Sequence, residues 1–343
     1  MMPPGFLTER IVMRKFPLPV LGALLLLLSA SASLAQEPAQ PKAASSYHLV
    51  ENWLHLPPGQ PLGSMSWLDF DSYGTTYLMR RCATCGQHTK EGDPPSVIWT
   101  FDKDGNFLKE WGEGPIAKEG HSLRVDRKGF IWITDTGAHQ VKKFSPDGKL
   151  LMTLGKYGVS GEGPDTFNMP TDTLVVANGD LFVTDGYGNH RVVKFNKDGK
   201  FLKTWGTLGT APGQFRIPHS IVQDSRGRLI VSDRCGLSNT PCTGTRIQIF
   251  DTDGKFLDQW LTMSGDARYP LSSPASLYIT KNDTLYIGCG GRVYVADART
   301  GKLLDVLEGL GTTHGIAVDR GGDIYIAGLD RGGLRRYSRN AVP

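Results

Sequence analysis

The sequence predicts an all-β chain folded as one six-bladed β-propeller, and three observations predict it. A segment of similar pattern recurs six times at intervals of about 40–55 residues, a period typical of propeller blades. Each copy reads as four short apolar strands bounded by polar or glycine turns. Five copies carry a hairpin dipeptide ending in glycine between their third and fourth strands: Asp104-Gly105, Asp147-Gly148, Asp198-Gly199, Asp253-Gly254 and Thr300-Gly301.

The first copy runs through SWLDFDSYGTTYLMRR, from Ser66, into SVIWTFDKDGNFLKEW. The second, GHSLRVDRKGFIWITDTGAHQVKKFSPDGKLLMTLG, starts at Gly120, and the third, PTDTLVVANGDLFVTDGYGNHRVVKFNKDGKFLKTWG, at Pro170. The fourth opens at Pro218 with PHSIVQDSRGRLIVSDR and resumes after an insertion as TRIQIFDTDGKFLDQW. PASLYITKNDTLYIGCGGRVYVADARTGKLLDVL and THGIAVDRGGDIYIAGLDRGGLRRYS complete the set. In the first four copies, Asp-Gly suits a type I′ hairpin turn, whose positive φ angles match strand twist. DKDG and DTDG could also suggest a calcium loop, but the glycine falls at the wrong position for one.

The sixth copy stops at Asn340–Pro343, where its fourth strand is due. Tyr47–Leu56 (YHLVENWLHL) is strand-like, belongs to no other copy and resembles the fourth strands FLKEW and FLKTW. It is expected to pair with the last blade, so that an N-terminal strand closes the ring and removes its free edges. The propeller then occupies residues 47–340. Residues 36–46, rich in Ala, Pro and Gln, read as a disordered linker. Residues 1–35 read as a signal peptide: Arg14 and Lys15 precede the apolar run Val20–Leu28, and Ser33-Leu34-Ala35 fits a cleavage site. That run is too short for a spanning helix, and either Met1 or Met13 suits as the start.

Export to the periplasm or the medium follows from that leader. Its removal takes out Arg10, Arg14, Lys15 and Glu9, leaving 35 basic against 33 acidic residues, a net charge of +2. So balanced a surface argues against nucleic acid or an anionic membrane as the main partner. The chain is expected to act as a monomer on a small-molecule or peptide substrate with a carboxylate. In an oxidising compartment, Cys82–Cys85 and Cys235–Cys242 are spaced for local disulfides, with Cys289 left over. Gly86 stands where a haem-attachment motif requires histidine.

The first residue of each innermost strand is Ser66, His121, Thr171, His219, Ala275 or His314. Histidine therefore recurs on alternate blades, about 120° apart, and three imidazoles converge on the axis as a three-histidine metal site requires. A single histidine at a strand start is ordinarily a surface or capping residue. His48, His55, His88, His139 and His190 share no such register. Zn²⁺ suits an all-imidazole centre with an open position.

Fourteen residues further on, where the second strand returns to the same mouth, stand Arg80, Asp135, Asp185, Asp233, Cys289 and Gly328. Arg81 and Arg234 follow in blades one and four, and Tyr187 lies two beyond Asp185. Guanidinium groups can hold a substrate carboxylate through paired hydrogen bonds. A nearby cation or metal favours phenolate, which makes Tyr187 a candidate general base. The plainer alternative pairs those arginines with Asp135, Asp185 or Asp233, aspartates that read as braces of the blade turns.

GHSLRVD, DGYGNHRVVKF, GQFRIPHSI and the SDR ending at Arg234 resemble peptidyl-α-hydroxyglycine α-amidating lyase, the lyase half of peptidylglycine α-amidating monooxygenase and a six-bladed propeller of NHL-type repeats. The resemblance runs from about Ser64 to Tyr337. It implies a catalytic zinc on His121, His219 and His314, with Tyr187, Arg81 and Arg234 as catalytic residues. It implies a reaction that splits a peptidyl-α-hydroxyglycine, or a related N-acyl compound, into an amide and glyoxylate. It also implies a structural calcium, for which the carbonyl of Leu123 is a matching ligand.

Three positions depart from that pattern. Gly315 replaces the aspartate expected after the third histidine, Gly188 replaces a cysteine beside the tyrosine, and the Cys235–Cys242 insertion flanks Arg234. No copper hydroxylase domain accompanies the repeats, so the hydroxylated substrate has to come from elsewhere. Two alternatives stand beside the lyase: another metal-dependent propeller enzyme, such as a lactonase, and a non-catalytic propeller binding a peptide or envelope partner. Propeller lactonases use carboxylate and amide ligands around calcium, which three imidazoles argue against, and a binding module has no need for three histidines on alternate blades. GEGPDTF at 161–167 lies between strands with no helix to follow, which argues against nucleotide chemistry.

Overall fold

The computed structural model describes residues 46–82, 97–112, 114–116, 119–236, 243–329 and 333–340. They form six four-stranded antiparallel sheets, the six blades of a propeller. Blade one comprises Ser64–Phe70, Thr76–Cys82, Val97–Phe101 and Phe107–Trp111. Blade two comprises Gly120–Val125, Ile131–Asp135, Gln140–Phe144 and Leu150–Leu154. Blade three is Asp172–Val175, Leu181–Asp185, Arg191–Phe195 and Phe201–Trp205; blade four is Pro218–Gln223, Leu229–Asp233, Arg246–Phe250 and Phe256–Trp260. Blade five is Pro274–Ile279, Thr284–Cys289, Arg292–Asp297 and Lys302–Glu308.

Blade six has Gly315–Val318, Ile324–Ala327 and Leu334–Arg339, and takes its fourth strand from Tyr47–Val50. Tyr47 pairs with Arg339 and Leu49 with Tyr337, closing the ring. That strand is shorter than Tyr47–Leu56. Asn52 adopts a positive φ of 54° and turns the chain out of the sheet. The rest crosses to blade one, where the N–H of His55 donates to the carbonyl of Gly105 at 2.8 Å. Trp53 meets Tyr325 of blade six edge to face, with centroids 5.1 Å apart, so one segment stitches the last blade to the first.

The hairpins correct one expectation. Among the dipeptides named above, only the glycines have positive φ, between 71° and 93°. A type I′ turn needs positive φ at both central residues; a type I turn followed by a left-handed glycine needs it only at the glycine. The reason is the residue that opens each turn. Asp102 accepts from the N–H groups of Asp104 and Asn106, and Asp251 from those of Asp253 and Lys255. This side-chain bracing favours the type I form. The same aspartates are occupied by their own turns rather than by a calcium loop.

Packing between blades follows the repeat. Trp111 of blade one covers Gly148 of the next hairpin, Trp205 covers Gly254 and Trp260 covers Gly301; a Cβ at any of these glycines meets the indole at 3.0 Å or less. Apolar clusters span neighbouring blades, as where Met65, Leu68, Trp99 and Phe101 of blade one meet Ala317, Tyr325 and Ala327 of blade six. The fourth strands are the exposed ones and the first strands are buried around the axis. Function is therefore to be sought where first strands begin and second strands end.

Candidate metal centre

Each histidine sits where the strand ladder slips. His121 is the extra residue between the pairs Gly120–Asp135 and Ser122–Thr134, and His219 between Pro218–Asp233 and Ser220–Ser232. A bulge puts two residues against one and frees the extra side chain from the alternating pleat. At His314 the N–H donates to the carbonyl of Ala327 at 3.1 Å while Ala327 pairs with Gly315, the same two-against-one arrangement. The three rings meet edge to face with centroids 4.7, 4.8 and 5.3 Å apart. Among the described residues this trio is the one group of three or more His, Cys, Asp or Glu whose ligand atoms all lie within 4.8 Å of one another.

The next blade fixes which nitrogen is free. Nδ1 of His121 lies 2.7 Å from the carbonyl oxygen of Thr171 in blade three. Nδ1 of His219 lies 2.5 Å from that of Ala275 in blade five, and Nδ1 of His314 lies 2.8 Å from that of Ser66 in blade one. A carbonyl only accepts, so each Nδ1 carries the proton and each Nε2 presents a lone pair inward. The intervening blades return the contact: Ser66 Oγ donates to Gly120 O and Thr171 Oγ1 to Pro218 O, at 2.9 and 2.8 Å. In blade five, where position one is Ala275, Ser276 Oγ does this to Thr313 O at 3.2 Å.

Burial holds all three imidazoles in the neutral form a metal ligand needs. It pushes His121 and His219 well below 6.5 and His314 down to about 3, and the cationic Arg234 adds to the shift at His219 and His314. The other described histidines are committed elsewhere: His48 to Asn340, His55 to Asn106, His139 to the N–H of Met169 and His190 to the carbonyl of Arg216. His88 lies outside the described residues.

Tyr187 stands on a one-turn helix, α1 (Gly186–Asn189), which the strand pattern did not suggest. Its phenol oxygen is 3.0 Å from Nε2 of His121 and 3.0 Å from Nε2 of His219. A phenol has one proton, so two inward lone pairs face a single donor. A cation relieves that mismatch, and the donor set is one that zinc accepts. The Asn168 side chain fills the space beside Gly188 of α1: a Cβ there would fall 2.1 Å from its Cγ, so that side chain would have to move aside. The N–H of Gly188 donates to the carbonyl of Asn168 at 3.0 Å, tethering the turn where the resemblance would place a disulfide.

Arg234 Nη2 donates to the phenol oxygen of Tyr187 at 3.0 Å, and its guanidinium lies 5.7 Å from the ring centroid. Its Nε is buried without a hydrogen-bond partner. Arg81 is also buried, which lowers its pKa to about 10, so it stays cationic at neutral pH. It forms an ion pair with Glu119, a residue the sequence reading passed over. Asp135, Asp185 and Asp233 are taken instead by Lys142, Arg191 and Arg246. Asp233 also accepts from the N–H groups of Arg216 and Ile217, at 2.7 and 2.9 Å. The trio, Tyr187 and Arg234 thus share one mouth of the channel.

Leu123 is a buried residue of its strand, paired with Ile133, and lies outside that group. The proposed Cys82–Cys85 pair lies outside the described residues through Cys85 and the side chain of Cys82, and the Cys235–Cys242 pair through Cys242. Cys289 is free and buried.

The NHL repeat family matches residues 167–195, the stretch that holds the first three strands of blade three and α1. The chain is 36% identical to NHL repeat-containing protein 3 of Homo sapiens over 181 residues, 50% of this chain and 50% of that protein. It is 30% identical to peptidyl-alpha-hydroxyglycine alpha-amidating lyase 1 of Drosophila melanogaster over 323 residues, 82% of this chain and 58% of that one. The chain therefore spans about half the length of these relatives. A solved structure described as streptogramin B lyase superposes with a TM-score of 0.54 at 18% identity, covering 86% of this chain and 98% of that one. At that identity the likeness shows the propeller fold alone. Among the described residues no helix is long and apolar enough to cross a membrane.

Proposed function

We propose that this chain, which resembles the α-amidating lyases over most of its length, is a zinc-dependent lyase. It cleaves the carbon–nitrogen bond of a peptidyl- or N-acyl-α-hydroxyglycine to give an amide and glyoxylate. One observation carries the reading: a single phenol oxygen lies 3.0 Å from two inward-facing imidazole nitrogens and 3.0 Å from a buried guanidinium. A base, a metal ligand set and a carboxylate anchor are thereby gathered within one hydrogen-bond shell.

Zinc held by Nε2 of His121, His219 and His314 would supply a Lewis acid for the substrate hydroxyl. Tyr187, as the general base, takes the hydroxyl proton. The O–H and C–N bonds break, the carbon–oxygen double bond of glyoxylate forms, and the departing amide nitrogen receives a proton. No water is consumed. Arg234 donates to the phenol oxygen through Nη2, and its unpartnered Nε faces the demand of a substrate carboxylate. Arg81, already paired with Glu119, adds positive charge to the same mouth.

In this reading the enzyme works as an exported monomer, past the leader-like residues 1–35, on a small or peptide substrate bearing a carboxylate. The test is glyoxylate release from α-hydroxyhippurate by the zinc-loaded protein and by Tyr187→Phe. Release by the first and its loss in the second are expected. A zinc-loaded wild type that releases no glyoxylate from this or a peptidyl substrate overturns the reading.

A further inference from the structure

Farther along the strand that carries His121, the channel is filled by a side chain. Arg124 donates through Nε and Nη2 to both carboxylate oxygens of Asp172 in blade three, at 3.0 and 2.5 Å. The same Nη2 reaches Ser220 Oγ in blade four and the carbonyl of Leu277 in blade five, each at 3.0 Å. The guanidinium lies 4.9 Å from the centroid of Trp67 in blade one. One cation from blade two thus contacts blades one, three, four and five.

The surroundings are built for a positive charge. Asp172 is fully buried and also accepts from Ser220 Oγ at 2.7 Å. Asp69 of blade one is buried within electrostatic reach of Arg124 and accepts from the N–H of Val125 at 2.9 Å. Two buried carboxylates without a counter-charge would be costly to fold. In blade six the residue after the first-strand histidine is Gly315, where a Cβ would fall 2.7 Å from Ser66 O and 2.9 Å from Trp67 Cα. No aspartate can stand there.

We propose that Arg124 is a built-in cation that takes the place of a structural metal ion on the propeller axis. The calcium implied by the family resemblance does not fit this chain. Its acidic ligand is sterically excluded at Gly315, and the axial position carries a guanidinium whose donors already satisfy Asp172. A calcium ion binds oxygen at 2.3–2.6 Å, and it cannot share this site with the guanidinium. The inference is independent of the reaction proposed above.

The test is the melting temperature of the zinc-loaded protein in excess calcium and in a calcium-selective chelator, with elemental analysis alongside. The wild type is expected to melt at the same temperature in both and to contain no stoichiometric calcium. Arg124→Ser, which leaves Asp69 and Asp172 without their cation, is expected to melt several degrees lower and to be raised by calcium. A wild type that carries calcium or is stabilised by it overturns the proposal, and this decides the matter even if Arg124→Ser cannot be recovered. So does an Arg124→Met variant that melts like the wild type without calcium.

Discussion

Nδ1 of His121 donates to the carbonyl oxygen of Thr171 at 2.7 Å, across the boundary between blades two and three. The bond orients the ring, assigns its proton and leaves Nε2 for a metal. Its counterparts at His219 and His314 repeat the arrangement around the axis. His219→Ala is therefore expected to reduce zinc from about one ion per chain to a trace. His139→Ala, whose ring serves the Met169 N–H, is expected to keep it. Elemental analysis of the purified variants decides, and equal zinc in both would remove the trio as the metal site.

Tyr187→Phe keeps the ring and removes the oxygen that joins two imidazoles to Arg234. Loss of a positioned acid–base group costs about 10²–10⁴ in rate. The expected result is a fall in kcat of that order with zinc content unchanged. A fall in zinc content that accounts for the lost rate would make the phenol a structural strut instead.

The two arginines are expected to separate. Arg81 is balanced by Glu119, whereas Arg234 has a buried Nε without a partner. A charge-assisted hydrogen bond contributes about 1.5–3 kcal/mol, roughly 10- to 150-fold in affinity. Arg234→Met should raise KM for a carboxylate substrate by about that factor and spare the corresponding uncharged amide. Arg81→Met should raise it less. The reverse order would move the carboxylate to Arg81.

The buried imidazoles also set an acid limit on the metal-free protein. Their folded pKa values lie below the unfolded value of about 6.5, with His314 at about 3. For a depressed pKa the stability is present above the unfolded value and is lost as pH falls towards the folded one. Each such group adds a slope of about 1.4 kcal/mol per pH unit below about 6.5. Urea midpoints of the apo protein between about pH 7 and 5 should fall less steeply in His314→Gln than in the wild type. Parallel slopes would show that His314 is not held neutral.

Much of this was legible in the chain because repetition turns single residues into a register. One histidine at a strand start says little, but His121, His219 and His314 at the same position of alternate copies predicts a meeting point. The same register brought Tyr187 and Arg234 to one mouth. What stayed hidden depends on contacts that no local pattern encodes. The acceptors of the Nδ1 protons are backbone carbonyls about 50 residues away, or nearly 250 for His314. Arg124 appears within GHSLRVD as one basic residue, and only the ring geometry brings Asp172, Ser220 and Leu277 to it. Glu119 precedes its strand by one residue, and its partner Arg81 comes from another blade. The hairpin type is not encoded by Asp-Gly alone, because the aspartate, asparagine or serine that opens the turn braces it by accepting from the N–H groups inside.

The central claim is tested most directly by following glyoxylate from α-hydroxyhippurate with purified, zinc-quantified wild type beside His219→Ala. The wild type is expected to give stoichiometric glyoxylate and amide in proportion to bound zinc, and His219→Ala neither. Equal release from both proteins, or none from a wild type that carries its zinc, would contradict it.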